Sequence, residues 1–342
     1  MHRTMKLLIL AISVFFVASN ASAALAVTYT VADPTGDWGY PSPYGMYPRG
    51  PGYVRMSFIF DTLIWKDKNG IIPALAKSWN YVTEENAYIF SLRDDVTWHD
   101  GEKFTSADVV FTFGYIKEHP WAWVNSDIID KAEETGEYVV KIYLNKPYAP
   151  FLANVAGTLP IIPKHIWEGV DKPEQLMEKK ALIGTGPYEL VDYNKAQGTY
   201  LYKAYEGYYL GKPEVDRIRL IKVNAEIAPT ALKRGEVNAA SVPPDILGDL
   251  EKEGLEIVKE PPTWAAKLII NHKKEPLSSK EFRSALAYAV DREKIVQIVR
   301  RGHAVTGSAG LIPQSNEAWY NPDVAQYSYD TARVKEIIEG MG

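Results

Sequence analysis

FIFDTLIWKDKNGIIPALAKSWNYVTEENAYIFSLRDDVTWHDG, residues 58–101, is the most informative stretch of this 342-residue chain. Pro73 is placed to open a helical turn through Trp79, with apolar Leu75, Ala76 and Trp79. Ala87 to Leu92 alternates small or polar residues with Tyr88, Phe90 and Leu92, the pattern of a half-buried strand. Asp100-Gly101 then supplies a turn before the next element. Each piece is common, but the whole string in this order is a strong signal.

Punctuation of the same kind continues on both sides. Val27 to Ala32 is predicted as a first strand, followed to Gly52 by an irregular loop dense in Pro, Gly and Tyr. Thr105-Ser106-Ala107-Asp108 is a capping box for a helix through Val109, Val110, Phe113 and Ile116, with Phe104 placed to staple onto Val109. Tyr138 to Leu144 is predicted as a strand, Pro150 to Ala156 as a short helix, and Thr158 to Trp167 as an apolar segment broken by Pro160 and Pro163. Gly184-Thr185-Gly186-Pro187-Tyr188 predicts a tight turn needing unusual backbone dihedrals, ahead of the strands YELVDY and YLYKAY. A phosphate loop would lead into a helix N-terminus, and this turn leads into a strand.

Farther on, Val215 to Val223 is predicted as a strand and 226–234 as a helix closed by Gly235. Val237 to Ala240 fits a strand, and Pro243-Pro244-Asp245 opens a helix ending near Gly254. Leu268 to Asn271 is predicted as a strand, and Ser278-Ser279-Lys280-Glu281 as a second capping box with Leu277 stapled to Phe282. One helix is predicted through FRSALAYAVDREKIVQIV, with Phe282, Leu286, Ala289 and Val290 on one stripe, and another from Tyr329-Asp330-Thr331.

Composition narrows the class of protein. Hydrophobic residues make up 46% of the chain, ample for real cores, and the length favours two domains. Arg3 and Lys6, the apolar run Leu7 to Ala18 and the Ala21-Ser22-Ala23 site predict an export signal over 1–23, with a short membrane anchor as the alternative and Ala24-Leu25-Ala26 as a second possible cut. Removing the signal changes the formal charge from -5 to -7, with 36 basic against 43 acidic residues. A mildly acidic chain without a long basic tract is a poor nucleic-acid binder. The absence of cysteine excludes disulfides, thiolate catalysis, zinc–thiolate sites and a lipid-modified cysteine at the cleavage site. The mature protein is expected to be exported, monomeric and not a lipoprotein.

Four stretches carry a family resemblance: residues 58–101, the GTGPY turn at 184–188, the "Y..G.P..D.I" pattern across Tyr208 to Val223, and "N…P…FR.ALAYAVDR.KI" from Asn271. In these the chain resembles the extracytoplasmic solute-binding proteins of peptide and nickel ABC importers, family 5. The resemblance implies a two-lobed, type II periplasmic-binding-protein-like α/β fold. It places a first lobe at 24–271, with a subdomain at about 53–170 inserted, and the start of a second lobe at 272–342. Relatives continue beyond this point, so the second lobe is expected to be incomplete, whether by truncation or because the sequence is a fragment. Residues 27–270 are then expected to be the more stable part, and ligand affinity to be weak or undetectable. Many relatives carry an acidic residue where this chain has Asn238, a departure expected to be structural.

The implied function is capture of a solute, closure by hinge bending, and delivery to permease subunits driven by a cytoplasmic ATPase. Peptide is the leading ligand class, with an oligosaccharide or a nickel complex as alternatives. Peptide binders of the family hold the ligand amine with an aspartate from the later second lobe, beyond the residues seen here. Nickel relatives carry an arginine soon after the "PY.PFL" segment, and Pro147 to Pro163 contains none. No cofactor or metal is expected.

Candidate ligand residues follow from chemistry and from the resemblance. Tyr40, Tyr44, Tyr47 and Arg49 lie in the Pro/Gly loop, which in relatives reaches the cleft mouth; tyrosines offer flat apolar faces with polar tips. Their alternative role is to pack the loop. Trp121 and Trp123, in His119-Pro120-Trp121-Ala122-Trp123, suit a ligand platform or core packing. Nickel-binding relatives place an aromatic side chain of the matching segment over the metal complex, and Trp123 is the first choice for it here. Asp94, Asp95, His99 and Asp100 crowd together but fall on a strand end and a turn, where such residues commonly cap. With neither HExxH nor GxSxG, a secreted hydrolase is the weaker class, and a surface adhesin a third.

Overall fold

The opening stretch folds as two successive antiparallel pairings. In the computed structural model, residues 26–48, 50–67, 70–258, 265–310, 312, 314 and 320–341 are described, so the predicted export signal lies outside the described residues. The chain forms two compact units: residues 26–29 and 37–219 belong to the first, 30–36 and the described residues from 220 onward to the second. The lobe boundary predicted at 271/272 falls inside the second unit, and the subdomain predicted at about 53–170 inside the first.

Strand β1 (Thr28–Asp33) starts in the first unit and ends in the second, and helix α1 (Gly50–Ser57) follows the Pro/Gly loop. Strands β2 (Ile64–Asp67) and β3 (Gly70–Pro73) form a ribbon with Trp65 opposite Ile72. Strands β4 (Ala76–Val82) and β5 (Ala87–Leu92) pair next, with Trp79 opposite Phe90. The helical turn predicted from Pro73 is therefore a strand. The ladder from Ala76 to Val82 on β5 satisfies backbone groups along the whole segment, which one local turn of helix would not. Asn86, in the left-handed conformation at φ 48, reverses the chain between the two strands.

Helix α2 (Ser106–Glu118) starts where predicted, and the Asp108 carboxylate accepts the Thr105 N–H at 3.0 Å. Its buried face carries Val109, Phe113 and Ile116. Strands β6 (Ile129–Gly136) and β7 (Val139–Leu144) complete an antiparallel sheet of order β4-β5-β7-β6. A single π-type turn at Leu152–Ala156 replaces the predicted short helix, and helix α3 (Lys164–Trp167) follows Pro163. Phe90, Phe104, Phe113, Phe151, Trp98 and Trp167 are fully buried.

Strands β8 (Tyr188–Asn194) and β9 (Thr199–Ala204) form a hairpin after the GTGPY turn. The Gly186 N–H donates to Ile59 O at 2.7 Å and the Tyr188 N–H to Phe58 O at 2.9 Å, laying the turn along residues 58–59. Neither Gly184 nor Gly186 has a positive φ, contrary to the unusual dihedrals predicted there. What the turn needs is absence of a side chain. Strand β10 (Arg217–Lys222) then crosses from the first unit into the second.

In the second unit, helix α4 (Ala228–Lys233) ends ahead of Gly235 at φ 67, and strand β11 (Ala239–Ala240) pairs in parallel with the end of β1. Ala32, Ala231 and Val237 form a small core against Ile221 and Val223. Asn238 accepts the Thr30 N–H at 2.8 Å, the structural role expected of it. Helix α5 (Leu247–Lys252) ends before Gly254 at φ 84.

Three predictions in this unit need correction. Leu268–Asn271 is not a strand, and Leu268 and Ile269 are 73% and 91% exposed. Helix α6 (Lys280–Ala289) is capped by Ser279, which accepts the Phe282 N–H, one residue later than predicted. The single long helix is two, because the Asp291 side chain accepts the Lys294 N–H at 2.8 Å and starts helix α7 (Arg292–Val299) afresh. An Asp able to cap competes with continuing the helix. Helix α8 (Thr331–Glu339), capped by Asp330, packs on α6.

Candidate ligand-binding site

The Pro/Gly loop between β1 and α1 is closed on itself before it touches anything else. The Tyr47 N–H donates to Trp38 O at 2.7 Å and Gly39 bridges Met46. A Cβ on Gly39, at φ 85, would meet the Gly45 carbonyl oxygen at 2.6 Å, so this closure requires glycine.

Two of the candidate aromatics fasten the loop to the segment after α2. The Tyr44 hydroxyl donates to His119 O at 2.9 Å, and its ring lies 5.9 Å from that of Tyr115 and 5.7 Å from that of Trp167. Burial pushes the Tyr44 phenol far above its ordinary range, with the Tyr115 phenol adding to the effect. Trp121 is only 4% exposed, and its indole N–H donates to Pro43 O at 2.7 Å. In this structure Trp121 is a core residue with no open face for a ligand.

The other aromatics face outward. Tyr40 is half-buried, edge-on to Tyr193 at 5.9 Å. Tyr47 is 61% exposed and edge-on to Trp38 at 6.0 Å. Trp123 is 65% exposed, and its indole N–H donates to the Pro48 carbonyl, which brings it beside the Tyr47 end of the loop. Its φ of 75 is a conformation that bulky residues adopt at a strain of about 1–3 kcal/mol. Arg49 lies outside the described residues. Tyr47 and Trp123 are thus each exposed, with Trp123 tied to the loop at Pro48, whereas Tyr44 and Trp121 are withdrawn into the interior.

Sequence reasoning passed over Asp37 at the foot of the loop. Its Oδ1 accepts the Tyr193 hydroxyl at 2.7 Å, the Tyr200 hydroxyl at 3.0 Å and the Gly39 N–H at 3.1 Å. Partial burial opposes ionisation, but the bonds from Tyr193, Gly39 and Tyr200 and the nearby Lys195 outweigh it and hold the carboxyl below its ordinary value. The only signal in the sequence was an acidic residue beside Trp38 in a Tyr-rich loop.

The acidic cluster has structural partners throughout. Asp94 pairs with Lys77 at 2.5 Å, Arg93 grips Asp95 at 2.9 and 3.0 Å, and Asp100 meets His165 at 2.9 Å. His99 sits 2.9 Å from Gly186 O, and burial lowers its pKa. Among the described residues no group of three or more His, Asp or Glu side chains could hold a metal ion. No described helix is long and apolar enough to cross a membrane.

The chain is similar to several known proteins. A profile of "Bacterial extracellular solute-binding proteins, family 5 Middle" matches residues 70–342. The dipeptide-binding protein of Escherichia coli is 30% identical over 300 residues, covering 80% of this chain and 55% of that protein. Among solved structures, NikZ from Campylobacter jejuni in complex with Ni(L-His) is similar at TM-score 0.74 and 28% identity, over 93% of this chain and 63% of that one. CtaP, an ABC transporter substrate-binding protein of Listeria monocytogenes, is similar at TM-score 0.77 and 27% identity, over 93% and 65%. The chain therefore spans a little over half of this curated relative and under two thirds of these solved ones.

Proposed function

The chain belongs to the bacterial extracellular solute-binding proteins of family 5, and on that premise we propose that it captures peptides outside the cytoplasmic membrane for an ABC importer. The observation that carries this reading is the exposure of Tyr47 and Trp123 on and beside a loop that Tyr44 and Trp121 fasten in place. Aromatic faces with polar tips suit peptide backbones and side chains, and binding energy concentrates on such anchors. The similarity to a dipeptide-binding protein favours peptide as the ligand class. Residues 272–342 belong in this reading to a second lobe, and 1–23 to an export signal. A membrane permease driven by a cytoplasmic ATPase receives the loaded protein.

The protein does no chemistry on its ligand in this proposal. The Asp94–Asp100 cluster, the strongest candidate for catalysis, is engaged in pairs that stabilise a strand end and a turn. A nickel complex is the second reading, favoured by the likeness to NikZ with its bound Ni(L-His). A thermal-shift screen of the purified chain against di- and tripeptides, oligosaccharides and nickel–histidine tests the proposal. A specific peptide at about 100 times its Kd stabilises by roughly 2.7 kcal/mol. A shift with nickel–histidine alone, or hydrolysis of the peptides, overturns it.

A further inference from the structure

Strand β10 carries two arginines that no carboxylate of the described residues neutralises. Arg217 and Arg219 are both exposed, and among the described residues neither forms an ion pair or a side-chain hydrogen bond. Other exposed arginines have partners: Arg234 pairs with Glu236, Arg301 with Asp245 and Arg333 with Glu336. Arg300 is unpaired as well, but it stands singly at the end of α7. Side chains two residues apart on a strand leave the same face, with Cα atoms roughly 7 Å apart. Ile218 and Leu220 alternate with the arginines, and Leu220 is buried.

Both arginines line a cavity of about 270 Å³ in the first unit, near the small end of ligand-sized sites. In the sheet β10 lies between β1 and β9, and Thr28 of β1, Thr199 of β9, Gln197 of the β8–β9 turn and Asp192 of β8 belong to the same lining. These are hydroxyl, amide and carboxylate groups, with two positive charges against the one of Asp192. Asp216, beside Arg217 in the chain, is engaged elsewhere: it accepts the Val27 N–H at 2.9 Å and pairs with Lys212 at 3.4 Å.

The chemistry of the pair selects the anion. Each guanidinium is a planar fork of N–H donors that takes two oxygens at once. A carboxylate has two oxygens and fills one fork. A terminal phosphate has three, enough to bridge both, and threonine hydroxyls and a glutamine amide can donate to an oxygen left over.

We propose that Arg217 and Arg219 form a binding site for a terminal phosphate group. That group has two sources, a small phosphate monoester in solution or the phosphate of a phosphatidic acid headgroup at a membrane surface. The site is independent of the peptide reading above.

The purified chain is titrated calorimetrically with inorganic phosphate, glycerol 3-phosphate and acetate, and floated with phosphatidylcholine vesicles with or without phosphatidic acid. The expected result is saturable binding of a phosphate probe or of the phosphatidic acid vesicles, and none of acetate or of phosphatidylcholine alone. The probe that binds identifies the source. Arg217→Gln together with Arg219→Gln weakens that binding by roughly tenfold or more at an unchanged melting temperature. Replacing both by lysine keeps the charge, removes the forks and weakens it as well. Should the glutamine variant fold poorly, Asp192→Asn takes its place, tightening the binding by removing the opposing charge. No binding of any phosphate probe or vesicle, acetate bound as tightly as phosphate, or binding unchanged in the glutamine, lysine or Asp192→Asn variants overturns the site. Peptide affinity is expected to be the same in all of these variants, so either proposal can fail without the other.

Discussion

Gly184 lies against the backbone of Ile59 so closely that a Cβ on it would sit 2.0 Å from the Ile59 carbonyl oxygen. Gly186 is under the same constraint, its added Cβ meeting the Ile59 carbonyl carbon at 2.6 Å. Backbone atoms cannot rotate aside as a flexible side chain can. Two segments over 120 residues apart are thereby locked together, and the turn's glycines are explained by contact rather than by torsion. Gly184→Ala is expected to destabilise the first unit by about 1–3 kcal/mol, the usual range for overpacking. A urea denaturation midpoint equal to that of the unsubstituted chain contradicts this account of the turn.

Asp108 holds more than its own helix. Its carboxylate accepts the Thr105 N–H, the Lys164 N–H at 2.9 Å and the Trp98 indole N–H at 3.4 Å. Thr105→Ala is expected to lose about 1 kcal/mol as a cap deletion. Asp108→Ala leaves three donors without their acceptor and is expected to lose more. Equal denaturation midpoints for the two variants would show that the bonds beyond the cap are worth nothing.

Asp61 is fully buried beside Tyr53, Tyr208 and Tyr209, and desolvation pushes its carboxyl up to about 8 against the smaller opposing effects of Tyr209 and Trp65. The folded chain keeps this proton where the unfolded chain, with an ordinary value of 3.8, has released it. The group's contribution is fully present below about pH 4 and declines as pH rises toward about 8. Asp61→Asn removes that dependence, so the variant's stability is expected to change less between pH 5 and pH 8 than that of the unsubstituted chain. Parallel pH profiles for the two proteins would refute it.

Trp121 and Trp123 were both candidates in the sequence, with Trp123 the first choice, and the structure separates them. Trp121→Ala is expected to cost about 3–5 kcal/mol of stability, as for other buried tryptophans. Trp123→Ala, at an exposed site, is expected to change stability by less than about 1 kcal/mol. Thermal melts of the two variants check the contrast, and a reversed order would exchange their roles.

The elements that could be read from sequence are those whose signals are local. Alternation gave Ala87–Leu92 and most of Val139–Leu144, and a capping box gave the start of α2. Errors occurred where a partner distant in sequence decides. Ala76–Val82 carries helix-compatible residues but is made a strand by β5, and Asp291 ends a helix that apolar spacing alone continues. The candidate site was half legible for the same reason. Aromatic residue types pointed to the loop, but whether each ring faces core or solvent depends on contacts such as Trp121 with Pro43. Asp37 was illegible, since its fixing donors Tyr193 and Tyr200 lie over 150 residues away.

The most direct test of the central claim, that this chain binds solutes on an exposed aromatic face and leaves them intact, is a peptide titration of the unsubstituted chain and of Trp123→Ala, with mass analysis of the peptide afterwards. The account predicts saturable binding, recovery of the peptide whole, and affinity weaker in Trp123→Ala by roughly 1–3 kcal/mol with the fold preserved. Cleaved peptide, or unchanged affinity in a Trp123→Ala protein that melts at a lower temperature, would contradict it.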